Sequence, residues 1–125
     1  MKIFIVEDLP IVLERLSTMI NELPDVALAG DAASEAQAVK GISATLPDLV
    51  LLDIHLQAGR GMDVLSWLKQ NHPAIKIIVL TNYGYPQYQK RCMALGIDYL
   101  LDKAKGMVEL KRIISNLETE HSRNR

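Results

Sequence analysis

Apolar residues fall along this chain in short compact runs that alternate with longer stretches at helical spacing. Ile3 to Val6 is the first compact run and ends at Glu7-Asp8, which predicts a strand. Pro10 follows, and proline fits the first turn of a helix. Val12, Leu16, Met19, Ile20 and Leu23 then make one apolar helical face, which Pro24 stops. Val26 to Ala29 predicts a second, weaker strand ended by Gly30-Asp31. Ser34 followed by Gln37 is a capping-box pattern, opening a helix with Ala36, Val39, Ile42 and Leu46 on its inner face.

The most apolar run comes next. Leu49-Val50-Leu51-Leu52 shows no alternation and leads straight into Asp53, as expected of a strand buried on both faces. Because an ionised carboxylate is rarely buried unless paired, Asp53 is expected where that strand surfaces. Ile54 to Gly61 has no periodicity and two glycines, and reads as a loop that permits close approach. Met62, Leu65 and Leu68 mark a third helix, ended near His72-Pro73. Ile75 to Leu80 predicts a fourth strand that delivers Thr81. A loop from Asn82 to Pro86 leads to a short fourth helix, on which Cys92 and Met93 read as packing residues, and Gly96 stops it. Ile97 to Leu101 predicts a fifth strand with Asp102-Lys103 just past it. Met107, Leu110, Ile114 and Leu117 describe a last helix, so the domain is expected over 1–117 with a fraying polar tail over 118–125. Five strands alternating with five helices imply a single doubly wound α/β domain with a parallel sheet. Strand order is not visible from periodicity.

Size and composition narrow this further. The chain has 125 residues, 49% hydrophobic and 23% charged, which suits one soluble domain. A net charge of −1 provides no basic field for nucleic acid or an anionic membrane surface. A single cysteine excludes an internal disulfide and fits a cytoplasmic setting. No apolar run approaches the roughly 18 residues of a membrane span, and the amino terminus lacks a signal-peptide layout.

In a parallel sheet all strands end on one edge, where ligands bind. Here the first strand delivers Glu7 and Asp8, the third Asp53, the fourth Thr81 and the fifth Lys103, while Asp31 after the second is ambiguous. Crowded carboxylates repel and need a cation. Lys103 supplies one charge, and a hard divalent ion such as Mg²⁺ suits the remainder. Carboxylate, Mg²⁺, lysine and hydroxyl together form a phosphoryl-transfer set, with Asp53 as the attacking group and Lys103 and Thr81 stabilising the transferred oxygens. Taken singly, Asp53 reads as a loop cap, Lys103 as a surface lysine and Thr81 as a β-favouring strand end. Their joint placement on one sheet edge is what argues for chemistry.

With Glu7-Asp8, Asp53, Thr81 and Lys103 at these spacings, the sequence resembles the receiver domain of two-component response regulators over about residues 1–117. That resemblance implies a flavodoxin-like strand order, 2-1-3-4-5. It implies that Asp53 accepts a phosphoryl group from a phosphohistidine on a sensor histidine kinase or a histidine phosphotransfer protein. It assigns Mg²⁺ to Asp8 and Asp53 directly, to Glu7 through water and to the backbone carbonyl of His55. It also implies a Thr81-driven change on the face of the fourth helix, fifth strand and fifth helix, which would bind a downstream protein. Homodimerisation through the same region is a family analogy.

Three positions depart from the family pattern. Leu100 stands where a switch aromatic is usual, with Tyr99 beside it on the opposite face. Ala104 follows the lysine in place of a frequent proline, and Asn82 follows Thr81 in place of a smaller residue, which is expected to narrow access to an acyl phosphate. Tyr83, Tyr85 and Tyr88 are equally readable as ordinary half-exposed tyrosines or as a partner surface.

The expected function is a stand-alone phospho-receiver that catalyses only its own modification, with no direct contact to nucleic acid and no membrane association. Competing readings are an adaptor acting without phosphorylation, a haloacid-dehalogenase-like phosphatase and a flavin or dinucleotide module. The phosphatase lacks its general acid, and Glu7-Asp8-Leu9-Pro10 replaces the turn a nucleotide phosphate needs.

Overall fold

A computed structural model describes residues 1–56, 60–82, 86–103 and 106–124, with the side chains of residues 86–88 outside that set. The chain runs β1 (Lys2–Val6), α1 (Pro10–Glu22), β2 (Ala27–Ala32), α2 (Glu35–Thr45), β3 (Leu49–Asp53), α3 (Gly61–Asn71), β4 (Lys76–Thr81), α4 (Pro86–Ala94), β5 (Tyr99–Asp102) and α5 (Met107–Arg123). The strands form one five-stranded sheet in the order β2-β1-β3-β4-β5, every pair parallel. Expectation and structure agree on the doubly wound architecture and on the 2-1-3-4-5 order.

Strand alternation builds two cores. Phe4 and Val6 of β1, Val50 and Leu52 of β3, and Ile77 and Val79 of β4 face one side, where Ala38, Ile42, Leu65 and Leu68 cover them. Ile3 and Ile5, Leu49 and Leu51, and Ile78 and Leu80 face the other, covered by Leu16 and Ile20 of α1 and Leu110 and Ile114 of α5. Successive side chains point to opposite faces, so an unbroken apolar run is what a central strand needs here. Each fully buried leucine or isoleucine contributes roughly 1.5–3 kcal/mol, and β3 is buried at every position.

Several boundaries depart from expectation. β2 does not stop at Ala29 but runs to Ala32, because its ladder with β1 continues through Phe4–Gly30, Ile5–Asp31 and Val6–Ala32. Asp31 is tolerated inside it because this is an edge strand and the side chain is exposed. α2 begins as expected, with Ser34 Oγ accepting from the Gln37 amide at 3.2 Å and Gln37 Oε1 accepting from the Ala33 amide at 3.0 Å. It ends at Thr45, and Leu46 turns left-handed at φ 47°, so Leu46 is exposed rather than on the inner face. Ala36 is likewise exposed, and Ala38 takes its place in the core. Cys92 is buried as expected, its thiol 3.7 Å from Met62 Sδ, whereas Met93 lies on the exposed side of α4.

Residues 118–123, expected to fray as a polar tail, continue α5. Glu118 Oε2 lies 3.3 Å from the Met1 ammonium, Thr119 Oγ1 donates to the Ser115 carbonyl at 3.1 Å, and His121 and Arg123 occupy the last turn. Basic groups there favour the negative end of the helix. Among the described residues no helix is long and apolar enough to cross a membrane.

Candidate phosphoryl-acceptor site

The parallel topology places the carboxyl ends of β1, β3, β4 and β5 on one rim, and backbone bonds tie those ends together. The Glu7 amide donates to the Ala32 carbonyl at 2.9 Å, the Ile54 amide to the Leu80 carbonyl at 3.3 Å, and the Lys103 amide to the Thr81 carbonyl at 2.8 Å. Gly61 fits the start of α3 against this rim. A Cβ there would lie 2.5 Å from the Asp53 carbonyl oxygen, so only glycine lets the helix approach so closely. This is the close approach expected of the loop glycines, and Gln57 to Gly59 lie outside the described residues.

The expected residues converge. Glu7, Asp8 and Asp53 each present a carboxylate oxygen, and these oxygens all lie within 4.8 Å of one another. Lys103 Nζ sits 3.0 Å from Asp53 Oδ2 and 2.5 Å from Glu7 Oε1. The second oxygen of Glu7 accepts from the amides of Asp8 at 3.0 Å and Leu9 at 3.3 Å. Asp53 Oδ1 accepts from the His55 amide at 2.8 Å, which orients the carboxylate and turns the chain away from the strand. Thr81 Oγ1 is buried with no hydrogen-bond partner among the described residues. An unsatisfied buried hydroxyl is costly, so this one stands ready for an acceptor or donor not otherwise supplied.

One expectation needs correction. Asp53 does not surface: it is 2% exposed, and Glu7 is 1% exposed. The Lys103 side chain folds over both carboxylates, and that pairing is what permits their burial. A sequence reading counts charges at strand ends but does not show that a lysine just past β5 reaches across β4 and β3 to the end of β1.

The electrostatics follow from this crowding. Burial is the main force pushing the Glu7 carboxyl up to about 7; the Lys103 bond opposes it and the Asp53 charge adds to it. Burial works against the Lys103 charge, but the hydrogen bond to Glu7 and the Asp53 charge outweigh it and raise its pKa. The amine is therefore a fixed positive charge at neutral pH.

Three carboxylates so close together, with hydroxyl and amine beside them, can hold a hard divalent ion through oxygen and can stabilise a transferred oxyanion. A cavity of about 480 Å³, bordered by Ile54, His55, Arg60 and Arg91, opens beside the rim. A larger groove of about 580 Å³ between α1 and α5 is lined by none of the rim residues. Of the other singled-out residues, Leu100 is partly buried against the Phe4 side of the core, while Tyr99 is 39% exposed. Tyr83, Tyr85, the side chain of Tyr88 and Ala104 lie outside the described residues.

Comparison with known proteins gives this geometry its relatives. The family model of the response regulator receiver domain matches residues 3–115. The DNA-binding transcriptional activator DevR/DosR of Mycobacterium tuberculosis is 28% identical over 93% of this chain and 54% of its own length. The transcriptional regulatory protein DesR of Bacillus subtilis is 29% identical over 92% of this chain and 57% of its own. This chain thus spans just over half the length of both relatives. A crystal structure of a LuxR-family DNA-binding response regulator from Staphylococcus aureus superposes with a TM-score of 0.85 at 25% identity, covering 94% of this chain and 98% of that one. A match over nearly the whole chain, with the same fold throughout, makes this protein a member of the response regulator receiver domain family of two-component systems.

Proposed function

We propose that this protein receives a phosphoryl group on Asp53 from a phosphohistidine of a sensor histidine kinase or histidine phosphotransfer protein. The observation that carries this reading is the convergence on one rim of three carboxylates, the Lys103 amine and the Thr81 hydroxyl, which has no partner among the described residues. An Asp53 carboxylate oxygen attacks phosphorus as the nitrogen–phosphorus bond of the donor breaks, and the leaving imidazole keeps that bond's electron pair. Lys103 neutralises an equatorial oxygen, and the Thr81 hydroxyl donates to another.

The rim fits Mg²⁺. Asp8, Asp53 and the His55 backbone carbonyl would hold it directly, and Glu7 through water. When bound, the ion neutralises charge on the transferring group. Thr81, drawn to the phosphoryl oxygens, biases the face formed by α4, β5 and α5 towards a state that binds a downstream protein, or a second copy of the chain. This domain then works as a receiver that turns over its own acyl phosphate. Membership of the receiver family favours this over the phosphatase and dinucleotide readings.

Incubation with a small acyl phosphate donor and Mg²⁺ tests it. Intact mass rises by one phosphoryl group in the wild type and stays unchanged in Asp53→Ala. An unmodified wild-type protein would sink the proposal.

A further inference from the structure

The cavity beside the rim is lined by two cations that the fold does not use. Its volume of about 480 Å³ falls within the roughly 300–1,000 Å³ usual for small-molecule sites. Ile54 and His55, the two residues after Asp53, border it together with Arg60 and Asp63 at the start of α3 and Arg91 of α4. Gly61 packs against the Asp53 carbonyl, so Arg60 stands one residue from a backbone contact with the acceptor. Neither the Arg60 nor the Arg91 guanidinium has an ion pair or hydrogen bond among the described residues. Arg60 occupies the N-cap position of α3 in an extended conformation, φ −111° and ψ 130°, and its side chain caps no amide. That position favours an acceptor such as Asn, Asp or Ser, and a cation there opposes the positive end of the helix. Arg60 therefore costs the fold stability, and what it faces must account for it. With Asp63 counted against the two arginines, the cavity wall keeps a net positive charge. The neighbouring rim has the opposite sign, and its three carboxylates repel an approaching phosphoryl dianion.

We propose that this cavity is an anion subsite, where the Arg60 and Arg91 guanidiniums capture the phosphoryl group of a small free phosphodonor before Asp53 attacks it. A guanidinium fork meets phosphate oxygens two at a time. Two such forks on separate elements offset the repulsion of the rim and raise the donor's concentration beside Asp53. The anion subsite stands on the cavity alone, and its use in transfer rests on the function proposed above.

Inorganic phosphate is the first probe. Titrated into the wild-type chain without Mg²⁺, it shifts the Nε–Hε resonances of Arg60 and Arg91 saturably, with a dissociation constant on the order of 1–10 mM, and leaves those of Arg15 in place. No shift, or equal shifts at every arginine, would overturn the inference. Phosphoramidate is the second probe: its nitrogen–phosphorus bond breaks with the electron pair kept by the departing ammonia, as an Asp53 oxygen bonds phosphorus. At saturating Mg²⁺, low ionic strength and donor well below saturation, Arg60→Gln/Arg91→Gln is modified about tenfold more slowly than wild type. The difference closes towards none in about 1 M salt, where charges are screened beyond roughly 3 Å. Arg15→Gln/Lys40→Gln removes the same charge from exposed positions outside the cavity and stays within about twofold of wild type. An equal loss in both double variants would reduce the effect to net charge and overturn the subsite. Arg60→Asn supplies the missing cap and raises the urea midpoint; a lowered midpoint would show that Arg60 serves the fold and would also overturn it. A wild-type protein that phosphoramidate leaves unmodified defeats the function proposed above, and the phosphate titration still decides the subsite.

Discussion

The two rims of this sheet use the same residue types in opposite ways. At the amino rim, Asp48 Oδ2 accepts from the Lys2 amide at 2.7 Å and Asp98 Oδ2 from the Ile77 amide at 2.8 Å. These carboxylates are partly open to solvent, with side-chain exposures of 33% and 25%; the His121 imidazole lies beside Asp48 and the Lys76 ammonium beside Asp98. They begin strands by accepting otherwise unpaired amides. At the carboxyl rim Glu7, Asp8 and Asp53 face one another, with Glu7 and Asp53 buried. An aspartate that satisfies a backbone amide in partial solvent supports the fold. A buried one held against like charges carries a repulsion that folding alone does not require, and that marks a site.

This contrast can be broken by substitution. The largest effect is expected at Lys103. Lys103→Met leaves Glu7 and Asp53 buried without their counter-charge, lowering stability by about 3 kcal/mol and phosphorylation by two orders of magnitude or more. Urea unfolding and intact-mass kinetics measure the two effects. Asp48→Ala removes an acceptor from the amino rim and costs about 1 kcal/mol, with phosphorylation unchanged. Asp8→Asn has the opposite sign. Relieving the repulsion raises the free energy of metal-free unfolding by an amount on the order of 1 kcal/mol, while calorimetry shows weaker Mg²⁺ binding. If Asp8→Asn destabilises as Asp48→Ala does, the two rims are not different in kind.

The smallest effect is on pH. The folded-state pKa of Glu7 lies at about 7, above its ordinary 4.5. The folded protein therefore holds this proton more tightly than the unfolded chain. The stability Glu7 contributes is fully present below about 4.5 and is lost as pH rises through about 7. Metal-free wild type should lose stability across that interval by urea unfolding, and Glu7→Gln should remove that part of the slope.

Much of this was legible in the residues, for identifiable reasons. Leu49 to Leu52 reads as a central strand because burial on both faces requires an unbroken apolar run. Ser34 and Gln37 mark the start of α2 because the bonds that cap a helix are local in sequence. Asp8, Asp53, Thr81 and Lys103 could be assembled because parallel strands deliver their ends to one side. What was not legible depends on neighbours distant in sequence. β2 extends past Gly30 because β1 offers it a ladder. α5 passes Leu117 with Glu118 set against the Met1 ammonium at the far end of the chain. The cover over Asp53 is a lysine reaching across the sheet, and the order of the strands came from family resemblance rather than periodicity.

Thr81 holds two posts through separate atoms. Its carbonyl pins the main chain of Lys103, while its buried hydroxyl has no hydrogen-bond partner among the described residues. The hydroxyl can therefore reorient by rotation about a single side-chain bond, with the pin left in place. A trigger built this way spends no sheet hydrogen bond when it fires, and it resets by the reverse turn.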